Sequence, residues 1–153
     1  TVGDREPLAV LERTADELAS IIAAQPVEAL RRRPEAGGWS PIEILGHLVD
    51  SELAYGFRLR AMLFDDEPTY PGWDQERWVR GQHYQDADPT TLIDQFRLLR
   101  TLNLPLWRGL QSEDLERGGT HARRGRETVG EMLRITAGHD LLHLEQIRRC
   151  LES

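Results

Sequence analysis

His139 and His143 stand four residues apart in a stretch of helical periodicity, so two imidazoles stack on one face of that helix. Two imidazoles at this spacing can reach a single metal ion. Met132, Ile135, His139, Leu142 and Gln146 fall at heptad-like intervals, which places His139 where a bundle normally carries Leu or Ile. A buried imidazole needs hydrogen-bond partners or a metal. A third imidazole, His47, lies one helical turn from both Ile44 and Ser51 on the inward flank of an earlier helical pattern. Three neutral imidazoles leave coordination positions open, the pattern of a reactive metal site rather than of a closed structural one. The other histidines, His83 and His121, fall in predicted loops. The spacing is equally that of a satisfied core histidine, a boundary histidine and an unrelated His47.

Four helices must position these groups. The first predicted helix starts near Pro7 and carries Leu8, Leu11, Ala15, Leu18 and Ile22; Pro26 interrupts it, and Val27 to Arg33 adds a short turn. The second opens with Ser40 as cap, Pro41 at the first position and Glu43 completing a capping box, with Trp39 and Ile44 as hydrophobic staple. Its seam runs through Leu48, Tyr55, Leu59 and Met62 to about Phe64. The third follows Asp88 and Pro89, with Leu92, Phe96, Leu99, Leu106 and Leu110 in its seam, Asn103 as a polar member and a kink expected at Pro105. After a loop from about Glu113 to Glu127, the fourth begins at Thr128 with a capping box through Glu131 and runs to near Leu151. No strand and no internal repeat is read, so the fold class is all-α in a single domain over residues 1–153.

Depth along the helices links the two readings. At ~1.5 Å rise per residue, His47 lies about 10 Å along the second helix, and His143 and His139 lie roughly 12 and 18 Å back from the end of the fourth. The three rings share a level only if these helices run antiparallel, whereas an up-down-up-down bundle makes them parallel. A three-histidine site therefore requires a crossover, and the irregular segment 65–87 between the second and third helices is long enough to supply one. Trp73, Trp78 and Tyr84 in that segment either seal the flank of the bundle or wall a substrate pocket.

Composition sets limits. With 39% hydrophobic and 29% charged residues, the 153-residue chain reads as a soluble domain able to bury a core. No apolar run suggests a membrane span. Thr1 to Pro7 shows no secretory signal, and Thr1 in place of an initiator Met suggests a trimmed segment. The net charge of −7 argues against a nucleic-acid partner, and Arg31, Arg32 and Arg33 read as a solvated helix end. Cys150 stands alone, which removes internal disulfides and Cys-based zinc frameworks and favours the cytoplasm. All basic residues are Arg, so no Lys is available as Schiff base or general base.

The run Trp39-Ser40-Pro41-Ile42-Glu43-Ile44-Leu45-Gly46-His47-Leu48, followed much later by His139-Asp140-Leu141-Leu142-His143-Leu144-Glu145-Gln146-Ile147, resembles the DinB-like family. This is a group of DNA-damage-inducible four-helix proteins related to the YfiT-type metal-dependent hydrolases. The resemblance covers most of the chain. It implies an up-down-down-up bundle, His47, His139 and His143 as ligands of one divalent metal, homodimers, and a stress-related setting. Family members include thiol-dependent S-transferases and an isomerase that uses a small thiol; the family name does not imply polymerase activity.

Two functions follow as expectations. One is a metal-dependent enzyme acting on a small-molecule substrate, either a hydrolase using bound water or a transferase using a low-molecular-weight thiol. The other is a non-catalytic, stress-related dimer that binds a metal or ligand. Zn or Ni heads the expected metals, with Fe and Mn also compatible with imidazole donors. Ser51 and Gln146, one turn from ligands, are expected to brace them by hydrogen bonds. No residue is assigned as general base. Asp140 within His-Asp-x-x-His is one methylene shorter than the Glu of a metalloprotease helix, and the all-α fold speaks against that chemistry.

Overall fold

The computed structural model describes residues 6–35 and 37–152. The expectation about a signal at Thr1 to Pro7 therefore lies almost wholly outside the described residues. The chain forms α1 (Pro7–Ala23), α2 (Val27–Arg31), α3 (Pro41–Phe64), β1 (Thr69–Tyr70), α4 (Gln75–Gly81), α5 (Pro89–Arg108), β2 (Gly118–His121), β3 (Gly125–Thr128) and α6 (Val129–Glu152). The four long helices are α1, α3, α5 and α6. No described helix is long and apolar enough to cross a membrane.

Helix starts follow the sequence signals. The Ser40 N–H donates to Glu43 Oε2 at 2.9 Å, and Asp88 Oδ2 accepts from the Thr91 N–H at 2.8 Å. The capping box opening α6 is complete: the Thr128 N–H donates to Glu131 Oε2 and the Glu131 N–H donates to Thr128 Oγ1, at 2.8 and 3.1 Å. These bonds satisfy donors that the first helical turn leaves without partners.

Two apolar clusters fix helix directions. One joins Leu18 and Ile22 of α1 to Ile42–Val49 of α3, Leu92 and Phe96 of α5, and Leu144 and Ile147 of α6. The other joins Val10 and Leu11, Leu59 and Met62, Trp107, and Val129 and Met132. The end of α1 thus meets the starts of α3 and α5 and the end of α6, which is an up-down-down-up bundle. α1 packs on α5 and α6, and α3 packs on the same pair. Each fully buried Leu, Ile or Phe in these clusters contributes roughly 1.5–3 kcal/mol of hydrophobic stabilisation before the entropy of ordering is counted. The crossover is the 65–87 segment, which holds β1, α4 and a single 3₁₀ turn at Tyr84–Asp86.

Two expectations need correction. A three-stranded sheet, in the order β1-β2-β3, lies where no strand was read. β1 runs parallel to β2, and β2 pairs antiparallel with β3. These strands are two to four residues long and rich in Gly and charge, too short to show an alternating apolar pattern. Gly119 is required there, because a Cβ would stand 2.8 Å from the Pro68 carbonyl oxygen. The seam of α6 is also rotated from its expected face: Ile135 and Leu142 are 41% and 57% exposed, while Thr136, Asp140 and His143 point inward. These polar residues are buried with partners of their own: Thr136 Oγ1 donates to the Met132 carbonyl one turn back at 2.8 Å, and Asp140 pairs with Arg100 of α5.

Candidate metal centre

α3 and α6 run antiparallel, and the three imidazoles meet at one level between them. His47 Nε2 lies 3.0 Å from His139 Nε2, and His139 Nε2 lies 3.2 Å from His143 Nε2. One donor nitrogen from each ring falls within 4.8 Å of the others. His47 is 1% and His143 8% exposed, and His139 is part-buried.

This arrangement does not satisfy itself. His143 Nδ1 donates to Gln146 Oε1 at 2.9 Å, so the inward Nε2 of neutral His143 is bare. His139 Nε2 can donate to it or accept from His47 Nε2 but not both, which leaves the other pair of nitrogens in repulsion. A cation at the centre relieves that repulsion. Nitrogens about 2.0–2.1 Å from one ion at tetrahedral angles stand roughly 3.3 Å apart, close to the 3.0 and 3.2 Å of the two contacts that His139 makes. Burial pushes the His47 pKa down to about 3, with the charge of His143 adding to the effect. Burial, then His143 and His47, lowers that of His139 to about 2. Burial also lowers the pKa of His143, against its hydrogen bond to Gln146. All three are therefore neutral near pH 7, the form that coordinates metal.

The bracing groups behave differently from one another. Gln146 Oε1 lies 2.9 Å from His143 Nδ1 and can only accept, so Nδ1 carries the proton and Nε2 presents its lone pair inward. The Ser51 hydroxyl donates to the His47 carbonyl at 2.8 Å and places its oxygen 3.4 Å from His47 Nε2. It thus stands beside the inward nitrogen instead of holding the outer one. His47 Nδ1 is buried with no hydrogen-bond partner among the described residues. Trp39 packs on the His47 ring at 4.8 Å, and Tyr55 meets His139 edge-on at 5.6 Å.

One cleft opens onto His143, and a second lies beyond Tyr55, whose ring meets His139. The first, about 370 Å³, is lined by Trp39, Glu76, Arg80, His143 and Gln146, among others. The other, about 570 Å³, is lined by Tyr55, Trp73, His121, Arg123 and Arg124, with Glu76 shared between the two. The Trp39 indole N–H donates to Glu76 Oε2 at 2.7 Å, which ties α4 across the start of α3. The crossover aromatics divide their roles: Trp73 walls a cleft, whereas Tyr84 is buried in the core against Gly46. His83 is exposed in a left-handed turn.

Sequence reasoning missed a buried ionic network beside the centre. Arg100 Nε and Nη2 donate to Glu52 Oε1 and Oε2, both at 3.0 Å, and Nη1 donates to the Leu11 carbonyl at 2.7 Å. Asn103 Nδ2 adds a bond to Glu52 Oε1 at 3.0 Å. A signal existed: Phe96, Arg100, Asn103 and Trp107 follow helical spacing, so a charged residue occupied an apolar stripe. His121 was placed in a loop but ends β2 and is 3% exposed. The basic run is exposed at the end of α2, where Arg33 also pairs with Glu43 and Arg31 donates to the Ala87 carbonyl at 3.2 Å.

Comparison with known proteins agrees with this architecture. A family model described as the DinB superfamily matches residues 10–147. A protein of Oceanobacillus iheyensis named as a putative metal-dependent hydrolase is 26% identical over 151 residues, spanning 97% of this chain and 85% of its own length. YfiT of Bacillus subtilis, which bears the same kind of name, is 24% identical over 112 residues, spanning 73% of this chain and 63% of its own. The solved structure of YfiT, described as a probable metal-dependent hydrolase with an unusual four-helix bundle topology, matches with a TM-score of 0.88 at 22% identity. That match covers 94% of this chain and 83% of YfiT. A mycothiol-dependent maleylpyruvate isomerase matches with a TM-score of 0.73 at 10% identity, over 92% of this chain and 59% of the isomerase. Both structural likenesses establish the bundle.

Proposed function

The chain belongs to the DinB superfamily; we propose that it is a metal-dependent enzyme acting on a small molecule, with His47, His139 and His143 as the ligands of one divalent ion. The observation that carries this reading is the convergence of three neutral imidazoles at 3.0 and 3.2 Å, with Gln146 fixing the tautomer of His143. Zn or Ni suits three imidazoles best. Such an ion, when bound, activates a water or thiol and polarises a carbonyl or similar electrophile. The chain's own residues supply the rest. Gln146 orients one ligand, Trp39 and Tyr55 exclude water from two flanks, and Ser51 sets a hydroxyl oxygen beside the inward face of His47.

Hydrolysis and transfer from a low-molecular-weight thiol both fall within this proposal, the first in line with the names of the sequence relatives and the second with the thiol-dependent isomerase of the same fold. A cytoplasmic homodimer with a stress-related role belongs to the same proposal. The exposed Leu53, Phe57, Leu98 and Leu102 on the adjacent helices α3 and α5 support a second copy as partner.

A binding role without turnover is the second reading. It is favoured by one observation: among the described residues no carboxylate hydrogen-bonds to any of the three imidazoles. Turnover of ester, amide and thiol-acceptor substrates by the metal-loaded protein, abolished in His143→Ala, supports the enzyme. Saturable metal or ligand binding with no turnover across those classes supports the second reading.

A further inference from the structure

The larger cleft carries polar groups that the metal centre does not use. His121 lines it and is 97% buried, with its residue 3% exposed. The backbone N–H groups of Arg123 and Arg124 both donate to His121 Nδ1, at 3.1 and 3.2 Å. An imidazole nitrogen that accepts two such bonds carries no proton, so the hydrogen of neutral His121 sits on Nε2. That Nε2–H has no hydrogen-bond partner among the described residues. The Cε1–Nε2 edge faces Gly72, another wall of the cleft, where a Cβ would stand 3.3 and 3.4 Å from those two atoms. Tyr55 also lines the cleft; it is 8% exposed, and its hydroxyl has no hydrogen-bond partner among the described residues.

The charges of the cleft are unequally committed. Asp74 caps α4 by accepting the Arg77 N–H at 3.0 Å, and Glu76 pairs with Arg80 at 2.6 Å and accepts from the Trp39 indole. Arg124 is ion-paired with Glu127. Arg123 is exposed on the rim and has no ion pair among the described residues. Beneath the wall, Arg58 is 3% exposed, and its one hydrogen bond among the described residues goes to the Pro71 carbonyl at 2.8 Å. Its guanidinium lies 4.9 Å from the Trp73 ring centre and 5.0 Å from that of Tyr70. Aromatic faces compensate a buried cation only in part. Glu76 and Arg124 are thus paired and Asp74 is engaged as a helix cap. Arg123 and Arg58 have no carboxylate partner among the described residues, and the cleft is of a size that takes small molecules.

We propose that this cleft holds a carboxylate of the substrate, received by the His121 Nε2–H and the Arg123 guanidinium, with Tyr55 leading from it to the triad. One uncommitted rim guanidinium matches a singly charged planar group, which it can engage through two parallel N–H bonds. The inference deepens the metal-enzyme reading by naming a substrate class, and it takes its direction from that reading through the contact of Tyr55 with His139.

The test is a titration of the full-length, ¹⁵N-labelled protein with butyrate, butyramide and inorganic phosphate at constant ionic strength, with and without Zn. The Arg123 and Arg124 amides and the Trp73 indole N–H report on the cleft. The proposal expects saturable shifts of these signals with butyrate, at least tenfold weaker binding of butyramide, and a tenfold loss of butyrate affinity in Arg123→Gln. Gly72→Leu, which covers the His121 edge without removing a charge, is expected to lose butyrate binding as well. Butyramide binding as tightly as butyrate, unchanged affinity in Arg123→Gln, or shifts confined to other surfaces would overturn it. Phosphate binding more tightly than butyrate would overturn the carboxylate assignment. Zn content of the same samples separates the two readings: Arg123→Gln that binds Zn normally and fails with butyrate supports the cleft, while wild type that binds butyrate but no Zn sinks only the metal centre.

Discussion

The guanidinium of Arg100 on α5 lies 2.9 Å from Oδ2 of Asp140, the residue that follows His139 on α6. The same guanidinium is bound through two N–H groups to Glu52 of α3 and through a third to the Leu11 carbonyl of α1, so one cation ties the four long helices together. Arg100 and Glu52 are 2% and 3% exposed, and Asp140 is 2% exposed. Burial raises the Asp140 carboxyl to about 6, against the pull of Arg100. Removing the cation would leave two carboxylates buried without a partner charge. Arg100→Met is predicted to cost about 3–5 kcal/mol, the range for breaking a buried ion pair from one side. Urea denaturation checks it through the midpoint at unchanged slope. A loss under about 1 kcal/mol would mean that water or neighbouring groups replace the guanidinium.

This network shows where sequence reading stops. Arg100 was visible as a charge in an apolar stripe, but its partners lie 48 and 40 residues away, on other helices. Helix starts were legible because caps act over three residues, as at Ser40, Asp88 and Thr128. The antiparallel relation of α3 and α6 was legible only because three histidines had to share one level. The inward face of α6 was not legible. Apolarity points to Ile135 and Leu142, yet Asp140 and Thr136 are buried, the first ion-paired with Arg100 and the second donating to the Met132 carbonyl. The sheet was invisible for want of length, and with it the role of His121 as a wall of the cleft.

Gly46 precedes His47 on α3, and a Cβ there would come within 2.2 Å of the Tyr84 ring. Mid-helix Gly→Ala ordinarily stabilises by about 1 kcal/mol. Here the sign should invert. Tyr84 cannot withdraw freely, since it is buried and its hydroxyl donates to Asp50 Oδ1 at 2.8 Å. Gly46→Ala is predicted to destabilise by about 1–3 kcal/mol through overpacking. Thermal denaturation decides the sign, and a raised Tm would show that Tyr84 yields without cost.

Gln146 acts on the centre through His143 Nδ1 alone. Gln146→Ala should leave the fold intact, since its side chain is only part-buried, and weaken Zn binding about 10- to 100-fold. Competition with a chromophoric chelator measures this directly. Affinity within twofold of wild type would show that the tautomer of His143 is set by something else.

Leu53 and Phe57 are 56% and 65% exposed on α3, and Leu98 and Leu102 are 71% and 59% exposed on α5. If a second copy covers them, sedimentation velocity should find a dimer at micromolar concentration. Phe57→Arg with Leu98→Glu should then sediment as a monomer of unchanged helix content. A wild-type monomer under those conditions would remove the homodimer from the account.

The most direct test of the metal centre is the metal content of untagged protein, wild type beside His143→Ala, determined by elemental analysis with circular dichroism on the same samples. The account predicts one transition-metal ion per chain in wild type and its loss in a variant that remains helical. Wild type that is metal-free as purified and takes up neither added Zn nor added Ni would contradict it.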